Sequence, residues 1–191
     1  NNACIYEGKD GFVDFFNTKV RPADVLVFAG SVHNRHFSSR WKCFYDRTFF
    51  NNHVPSLTGK QLGFLISGPL SQLPDLRQFM ETYVETMQGN LTGIVSDEYS
   101  DSKEIDRLIT LMADRLVRYH VQRFQKPRSY LEVGVRKILR DEIWRTMRFP
   151  FQADDKFYKK EGLYDFPKRK LRDNIKTNFM VKNNPRLWPG L

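Results

Sequence analysis

The sequence predicts an α/β fold built on a parallel sheet, and three observations carry that prediction. Short apolar runs at residues 24–29, 61–67 and 91–96 each end in a small-residue or polar break. Segments of helical periodicity separate and follow them. Strands alternating with helices of this length imply right-handed crossovers and parallel pairing. The 191 residues are 40% hydrophobic and 14% aromatic, enough for one sizeable core with room for an appendage.

Taken in order, residues 1–20 hold a short helix. Asp10 and Gly11 precede Phe12, Val13, Phe15, Phe16 and Val20, whose spacing suits one helical face, and Arg21-Pro22 stops it. A strand over residues 24–29 follows, with a break at Gly30-Ser31. A polar loop, residues 33–39, then leads into a helix carrying Trp41, Phe44 and Tyr45 to about Phe50. Residues 51–59 connect to a second strand, Gln61–Ser67, which ends at Ser67-Gly68-Pro69. Pro74-Asp75 opens a helix to about Gln88, with Leu76, Phe79, Met80, Tyr83, Val84 and Met87 at helical spacing and Gly89 as its C′ residue. After the third strand, residues 100–102 offer an N-cap. Ile105, Leu108, Ile109, Met112, Leu116 and Tyr119 give the next helix its apolar face, to about residue 123.

Beyond the break at Lys126-Pro127 the chain changes character. Residues 129–147 read as a basic amphipathic helix, with Leu131, Val135, Ile138, Leu139 and Ile143 on one face. Residues 153–191, rich in aromatics, Lys and Arg, read as an irregular extension wrapping a surface. Residues 1–125 are therefore expected to form the main domain, and residues 126–191 a basic C-terminal extension acting as a dimer or lid element.

Composition excludes several classes. No apolar run approaches the ~20 residues of a spanning helix. The first residues lack the basic start and apolar middle of a signal peptide. Cys4 and Cys43 do not make a disulfide framework, so a cytoplasmic setting is the expectation. Gly-x-Ser-x-Gly, Walker-type and Gly-x-Gly-x-x-Gly patterns do not occur. The four histidines, 33, 36, 53 and 120, show no paired ligand spacing, and no metal site is expected. The net charge of +9 is uneven. Residues 1–117 carry 12 Lys+Arg against 14 Asp+Glu, while residues 118–191 carry 19 against 8. The excess belongs to the last third, where it reads as a solvated surface or as a contact with an acidic protein, nucleic acid or anionic lipid.

In an open parallel sheet, ligands bind in the crevice outside the carboxyl ends of the strands. The candidates are therefore the two strand-end loops, residues 30–39 and 67–72, side by side if their strands are neighbours. Ser31, Val32, His33, Asn34, Arg35, His36, Phe37 and Ser38 line the first; Ser67, Gly68 and Pro69 line the second. Small residues at the turns let backbone N–H groups approach a ligand, the histidines, Asn34 and Arg35 can hydrogen-bond, and Phe37 can pack on a planar ring. Each loop taken alone also reads as an ordinary turn. Asp97-Glu98, after the third strand, can bind ribose or ribityl hydroxyls, but reads more simply as a helix cap or a solvated pair.

The stretch 23–47 resembles the flavodoxin-like NAD(P)H-dependent FMN reductases and the related iron–sulfur flavoproteins. Residues 23–28 resemble the family's strand, and Ser31-Val32-His33 falls on its Pro-Val-Tyr. The run from Trp41 to Arg47, WKCFYDR, falls on its Lys-x-Phe-x-Asp-Arg helix. Gly59-Lys60 and Ser67-Gly68-Pro69 also match. The resemblance covers about residues 3–123. It implies a flavodoxin-like three-layer fold, non-covalent FMN and electron or hydride transfer from NAD(P)H to a small-molecule or protein acceptor, commonly in a homodimer. It places Ser31–Ser38 along the flavin ring and Ser67-Gly68-Pro69 on its other side, with protein groups positioning and tuning the flavin. The family fold begins with a strand and a Ser/Thr-rich loop that grips the FMN phosphate. Residues 1–191 show no such stretch, so that half is expected from a longer chain or from another one. His33 also replaces the family's tyrosine.

The resemblance thus implies an FMN-dependent NAD(P)H oxidoreductase. The alternative is a non-catalytic flavodoxin-like binding or electron-transfer module whose basic tail holds an acidic partner, nucleic acid or a membrane surface. The interleaved aromatics and bases of residues 157–167 suit stacking on single-stranded nucleic acid, but a dimer or lid role is preferred.

Overall fold

A computed structural model describes residues 4–99 and 101–166. The chain starts with a short helix, α1 (Phe12–Phe15), prolonged by one π-turn, Phe16–Val20. Val13, Phe16 and Val20 face the core and Phe15 faces solvent. Strand β1 runs from Val25 to His33 and pairs parallel with β3 (Gln61–Ser67), in a register from Val25↔Gln61 to Ser31↔Ser67. Strand β3 pairs parallel with β4 (Asn90–Ser96), with one bulge at Leu62/Gly63. The short β2 (His36–Phe37) folds back antiparallel on the end of β1, giving the order β2-β1-β3-β4. An α/β fold with a parallel sheet and helices on both faces is therefore what the chain adopts.

The break expected at Gly30-Ser31 does not occur. β1 continues to His33 and turns through Asn34-Arg35, whose φ values of 48° and 65° are both left-handed. This is the two-residue hairpin geometry whose twist matches that of the strands. Gly30 is small for a packing reason: a Cβ there would lie 1.8 Å from Nε1 of Trp41. The Nε1 edge of the Trp41 indole, carried by α2 (Ser39–Thr48), occupies the space beside the strand at that point.

Period-two alternation divides the sheet residues between two layers. Leu62, Phe64 and Ile66 of β3, with Leu26 and Phe28 of β1, face the larger core. There they join Phe16, Phe50, Leu57 and Leu70, and Leu76, Met80 and Val84 of α3 (Pro74–Thr86). On the opposite face α4 (Ser102–Val121) packs through Met112 and Leu116 on Val95, Leu65 and Val25. Gly63 and Gly93 of the sheet admit the Met112 side chain. The left-handed residue after α3 is Gln88 (φ 62°), not the expected Gly89. Gly89 is required instead for space, since a Cβ there would stand 2.5 Å from Leu62 Cδ1. Asp101 caps α4 by accepting from the Lys103 amide at 2.9 Å. Ser100, part of the expected cap, lies outside the described residues.

The exit of α4 is tied back to the sheet. The Phe124 carbonyl accepts from Gln61 Nε2 (2.9 Å) and Asn90 Nδ2 (3.0 Å), and the Lys126 amide donates to Asn90 Oδ1 (2.8 Å). Helix α5 (Tyr130–Glu142) begins at the Ser129 cap, continues as a π-turn over Ile143–Met147, and packs on α3. Lys126 and Ser129 both bind Glu85 of α3. Where an irregular segment was expected, Gln152–Lys160 forms helix α6. Asp154 and Asp155 in its first turn and Lys159 and Lys160 in its last complement the helix dipole. Fully buried Asp154 accepts from the His53 amide at 2.9 Å, fixing α6 to the connector after α2. The tail prolines 167, 185 and 189 lie outside the described residues. Among the described residues no helix is long and apolar enough to cross a membrane.

Candidate functional site

Pairing in register brings Ser31 beside Ser67, so the carboxyl ends of β1 and β3 are adjacent and β4 ends next to them at Ser96. Gly68 closes the contact between the two loops. Its φ of 135° is open to glycine, and a Cβ there would stand 2.8 Å from Val32 Cβ. Ser31, Val32, Ser67, Gly68 and Pro69 therefore gather at one end of the sheet.

The remaining residues of the first loop are spread by the hairpin. Ser31 Oγ lies 2.9 Å from His33 Nε2, and the His33 side chain is exposed. Asn34 and Arg35 form the turn itself. His36 packs edge-on against Phe79 of α3, and its Nδ1 accepts from the Phe37 amide at 2.9 Å. Phe37 is buried and stacked on Trp41, with ring centroids 5.1 Å apart, so its faces are engaged within the core. Ser38 occupies the N-cap position of α2 without a side-chain cap bond.

Two cavities meet at the strand ends. One, about 310 Å³, is a trough walled by Ala29, Gly30, Leu65, Ile66 and Val95 of the sheet and by Ile105 and Ile109 of α4. Ser67, Ser96 and Asp97 form its polar end. The other, about 540 Å³, is lined by Gly68, Pro69, Ser71, Gln72, Asp97, Glu98 and Tyr99. Asp97 is common to both.

Asp97 and Glu98 act neither as a helix cap nor as a free solvated pair. Asp97 Oδ1 accepts from the Gly68 amide at 2.8 Å, and Glu98 Oε2 accepts from the Ser71 amide at 2.8 Å. The end of β4 thus clamps the loop after β3. Hydrogen bonds from the Ser67 hydroxyl and the Gly68 amide hold the Asp97 carboxyl below its usual range. The Ser71 hydroxyl and amide do the same for Glu98. Both are anionic at neutral pH, and two of the loop's N–H donors are already used. Sequence reasoning missed this clamp because the partners are almost thirty residues apart. The signal was only an acidic pair at a strand end.

These residues accommodate the two parts of FMN unequally. A flat, uncharged ring fits the trough, which has apolar walls and hydroxyls at one end. A phosphate does not fit: no Lys or Arg is among the described residues lining either cavity, and two carboxylates are.

No protein-family model and no curated protein sequence matches the chain. Among solved structures, the Trp repressor binding protein from Bacillus subtilis is similar in fold, with a TM-score of 0.41 and 19% identity. The match covers 57% of this chain and 72% of that one.

Among the described residues, β1 has no strand partner on its outer edge from Val25 to Ser31, because β2 pairs only with Val32 and His33. On the α4 side of that edge, Val27 is 48% exposed and Ala29 is exposed.

Proposed function

We propose that residues 4–125 form the ring-side half of a flavin site in an FMN-dependent NAD(P)H oxidoreductase. The observation that carries this reading is the apolar trough at the carboxyl ends of β1, β3 and β4, with Ser67 and Ser96 at its polar end. Such a crevice is where open parallel sheets hold their ligands, and its walls suit a planar heteroaromatic ring. The sequence pattern of residues 31–33, 41–47 and 67–69 supports the same reading. Bound FMN would supply the redox chemistry. The chain's own contribution is to seat the ring against Ala29, Gly30 and Leu65, to offer hydroxyls at its edge, and to keep the loop 67–72 in one shape through Asp97 and Glu98. The Asp97 carboxylate at the trough's polar end disfavours added negative charge on a neighbouring ring, which makes a bound flavin harder to reduce.

Because the phosphate gains nothing from the described residues, riboflavin is expected to bind residues 1–191 as tightly as FMN, within a factor of about three, or about 0.7 kcal/mol. Fluorescence titration of both flavins measures this, and anaerobic NADH or NADPH then tests whether bound flavin is bleached. No uptake of either flavin at about 1 mM, an affinity under about 4 kcal/mol, refutes the reading.

A further inference from the structure

Helix α5 and the turn after α6 enclose a cavity of about 180 Å³. Arg128, Arg136, Lys137 and Arg140 line one wall, and Leu163 and Asp165 the other. Positions 136 and 137 each lie one turn before 140 on α5, and Arg128 stands one residue before the Ser129 cap. Both walls are set by the fold. Lys126 and Ser129 tie the start of α5 to Glu85 of α3. The turn after α6 is closed by the Leu163 amide, which donates to the Tyr158 carbonyl at 2.9 Å, and by the Tyr164 hydroxyl, which donates to Asp155 Oδ1 at 2.9 Å. Because α5 packs on α3, this cavity lies on the face of the sheet opposite the trough, which α4 walls.

The charge of the cavity is not balanced. Arg128 and Arg136 share one carboxylate, that of Glu132, at 3.4 and 2.9 Å. Arg140 pairs with Asp141 and Asp165, which are 57% and 71% exposed, and pairing with exposed carboxylates compensates little. Lys137 has no ion-pair or hydrogen-bond partner among the described residues. Four cations therefore meet one shielded carboxylate. The Arg136 and Arg140 side chains are only 17% and 13% exposed, so water screens their charge poorly. Burial, and then the charge of Arg128, push the Arg136 guanidinium below its ordinary range, ahead of the opposing pull of Glu132.

We propose that this cavity binds the phosphoryl group of a small ligand, held by Arg136, Lys137 and Arg140, and that Asp165 is the carboxylate it displaces. Guanidinium groups present forked N–H donors that match phosphoryl oxygens, and an ammonium adds a point charge. A phosphoryl group carries up to two negative charges and three acceptor oxygens, whereas Asp165 offers one charge from an exposed turn. Size selects the group further. Pockets for whole organic ligands span about 300–1,000 Å³, so 180 Å³ takes free phosphate or the phosphate end of a monoester, not an entire nucleotide. Residues 167–191 do not supply the anion, since they carry seven Lys+Arg against Asp173 alone. The inference holds whatever the strand-end crevice binds.

The test titrates inorganic phosphate and glycerol 3-phosphate separately into the chain of residues 1–191 at low ionic strength, followed by the amide resonances of residues 133–140 and 162–165. Saturable shifts in both segments are expected, with a Kd below about 1 mM. Equal affinity for the two probes identifies the free ion as sufficient, and an ester bound at least about threefold more tightly identifies a carried phosphate. Lys137→Ala should weaken binding about three- to tenfold by removing a charged donor. Asp165→Asn should tighten it at least about threefold by removing the competing charge. Both side chains are exposed, so neither variant disturbs the fold. Arg115→Ala, on exposed α4, should leave the affinity unchanged. Shifts that do not saturate by about 10 mM, or substitutions at 137 and 165 without effect, overturn the proposal. So does a single-stranded oligonucleotide that binds these residues and is not displaced by phosphate.

Discussion

Alanine substitution at two glycines is expected to shift stability in opposite directions, for reasons visible in their surroundings. At Gly30 a methyl group would lie 1.8 Å from Trp41 Nε1 and 2.7 Å from Cδ1 and Cε2. Ordinary contact distances require the indole to retreat by about 1.5–2 Å. That retreat is blocked, because Trp41 is stacked on Phe37 at 5.1 Å and packed on Tyr45 at 5.3 Å and Phe28 at 5.5 Å. Overpacking of this kind costs about 1–3 kcal/mol, and the tightness of the aromatic stack places Gly30→Ala at the upper end. For a chain of this size that is a fall in Tm of about 6–12 °C. At Gly134, in the middle of α5, an added Cβ meets nothing within 4 Å. Gly134→Ala should therefore stabilise by about 0.5–1 kcal/mol through helix propensity, a rise of about 1–4 °C. Calorimetry or circular dichroism on the two variants measures both. The decisive control is Trp41→Ala, which destabilises in its own right but vacates the site. In that background Gly30→Ala should be nearly neutral. A loss under about 2 °C for Gly30→Ala alone, or an equal loss with and without Trp41, refutes the reasoning.

Two other predictions concern the ties between segments. Asn90→Ala removes the acceptor for the Lys126 amide and one donor to the Phe124 carbonyl in a buried setting. It should cost about 1–3 kcal/mol in urea unfolding and speed proteolytic cleavage between residues 121 and 130; an unchanged urea midpoint contradicts it. The Asp97–Glu98 clamp should open in acid. Both folded pKa values are lowered from the ordinary 3.8 and 4.5, so the clamp is fully present above those values and is lost as pH falls through the lowered ones. The amide resonances of Gly68 and Ser71 report this between about pH 6 and pH 3. Asp97→Asn should abolish the Gly68 step and spare that of Ser71, and amides that do not titrate in this range contradict the assignment.

What could be read from the chain followed from local periodicity. The three parallel strands, α2, α3, α4 and α5 were legible because each must bury an apolar face of fixed period, and that period is written in residues a few positions apart. The hairpin after β1 was hidden for the opposite reason. Gly30 and Ser31 look like a break, and only the placement of Trp41 shows that the glycine is a seat for an indole. Asn34 and Arg35 are an uncommon pair for a left-handed two-residue turn, so the turn gave no local signal either. Helix α6 was masked by its aromatic and basic composition.

The candidate site divides along the same line. Its position at the carboxyl ends of β1 and β3 was set by the sequence, since the order of strands and helices dictates parallel pairing and hence which loops adjoin. Only the tertiary structure decided how those loops are used. Phe37, a ring-stacking candidate by residue type, is spent in the core on Trp41. Asp97 and Glu98 hold the amides of a loop that precedes them by 29 and 27 residues. Periodicity along the chain fixes which face of an element is apolar. What that face meets depends on contacts between distant segments, which packing alone selects.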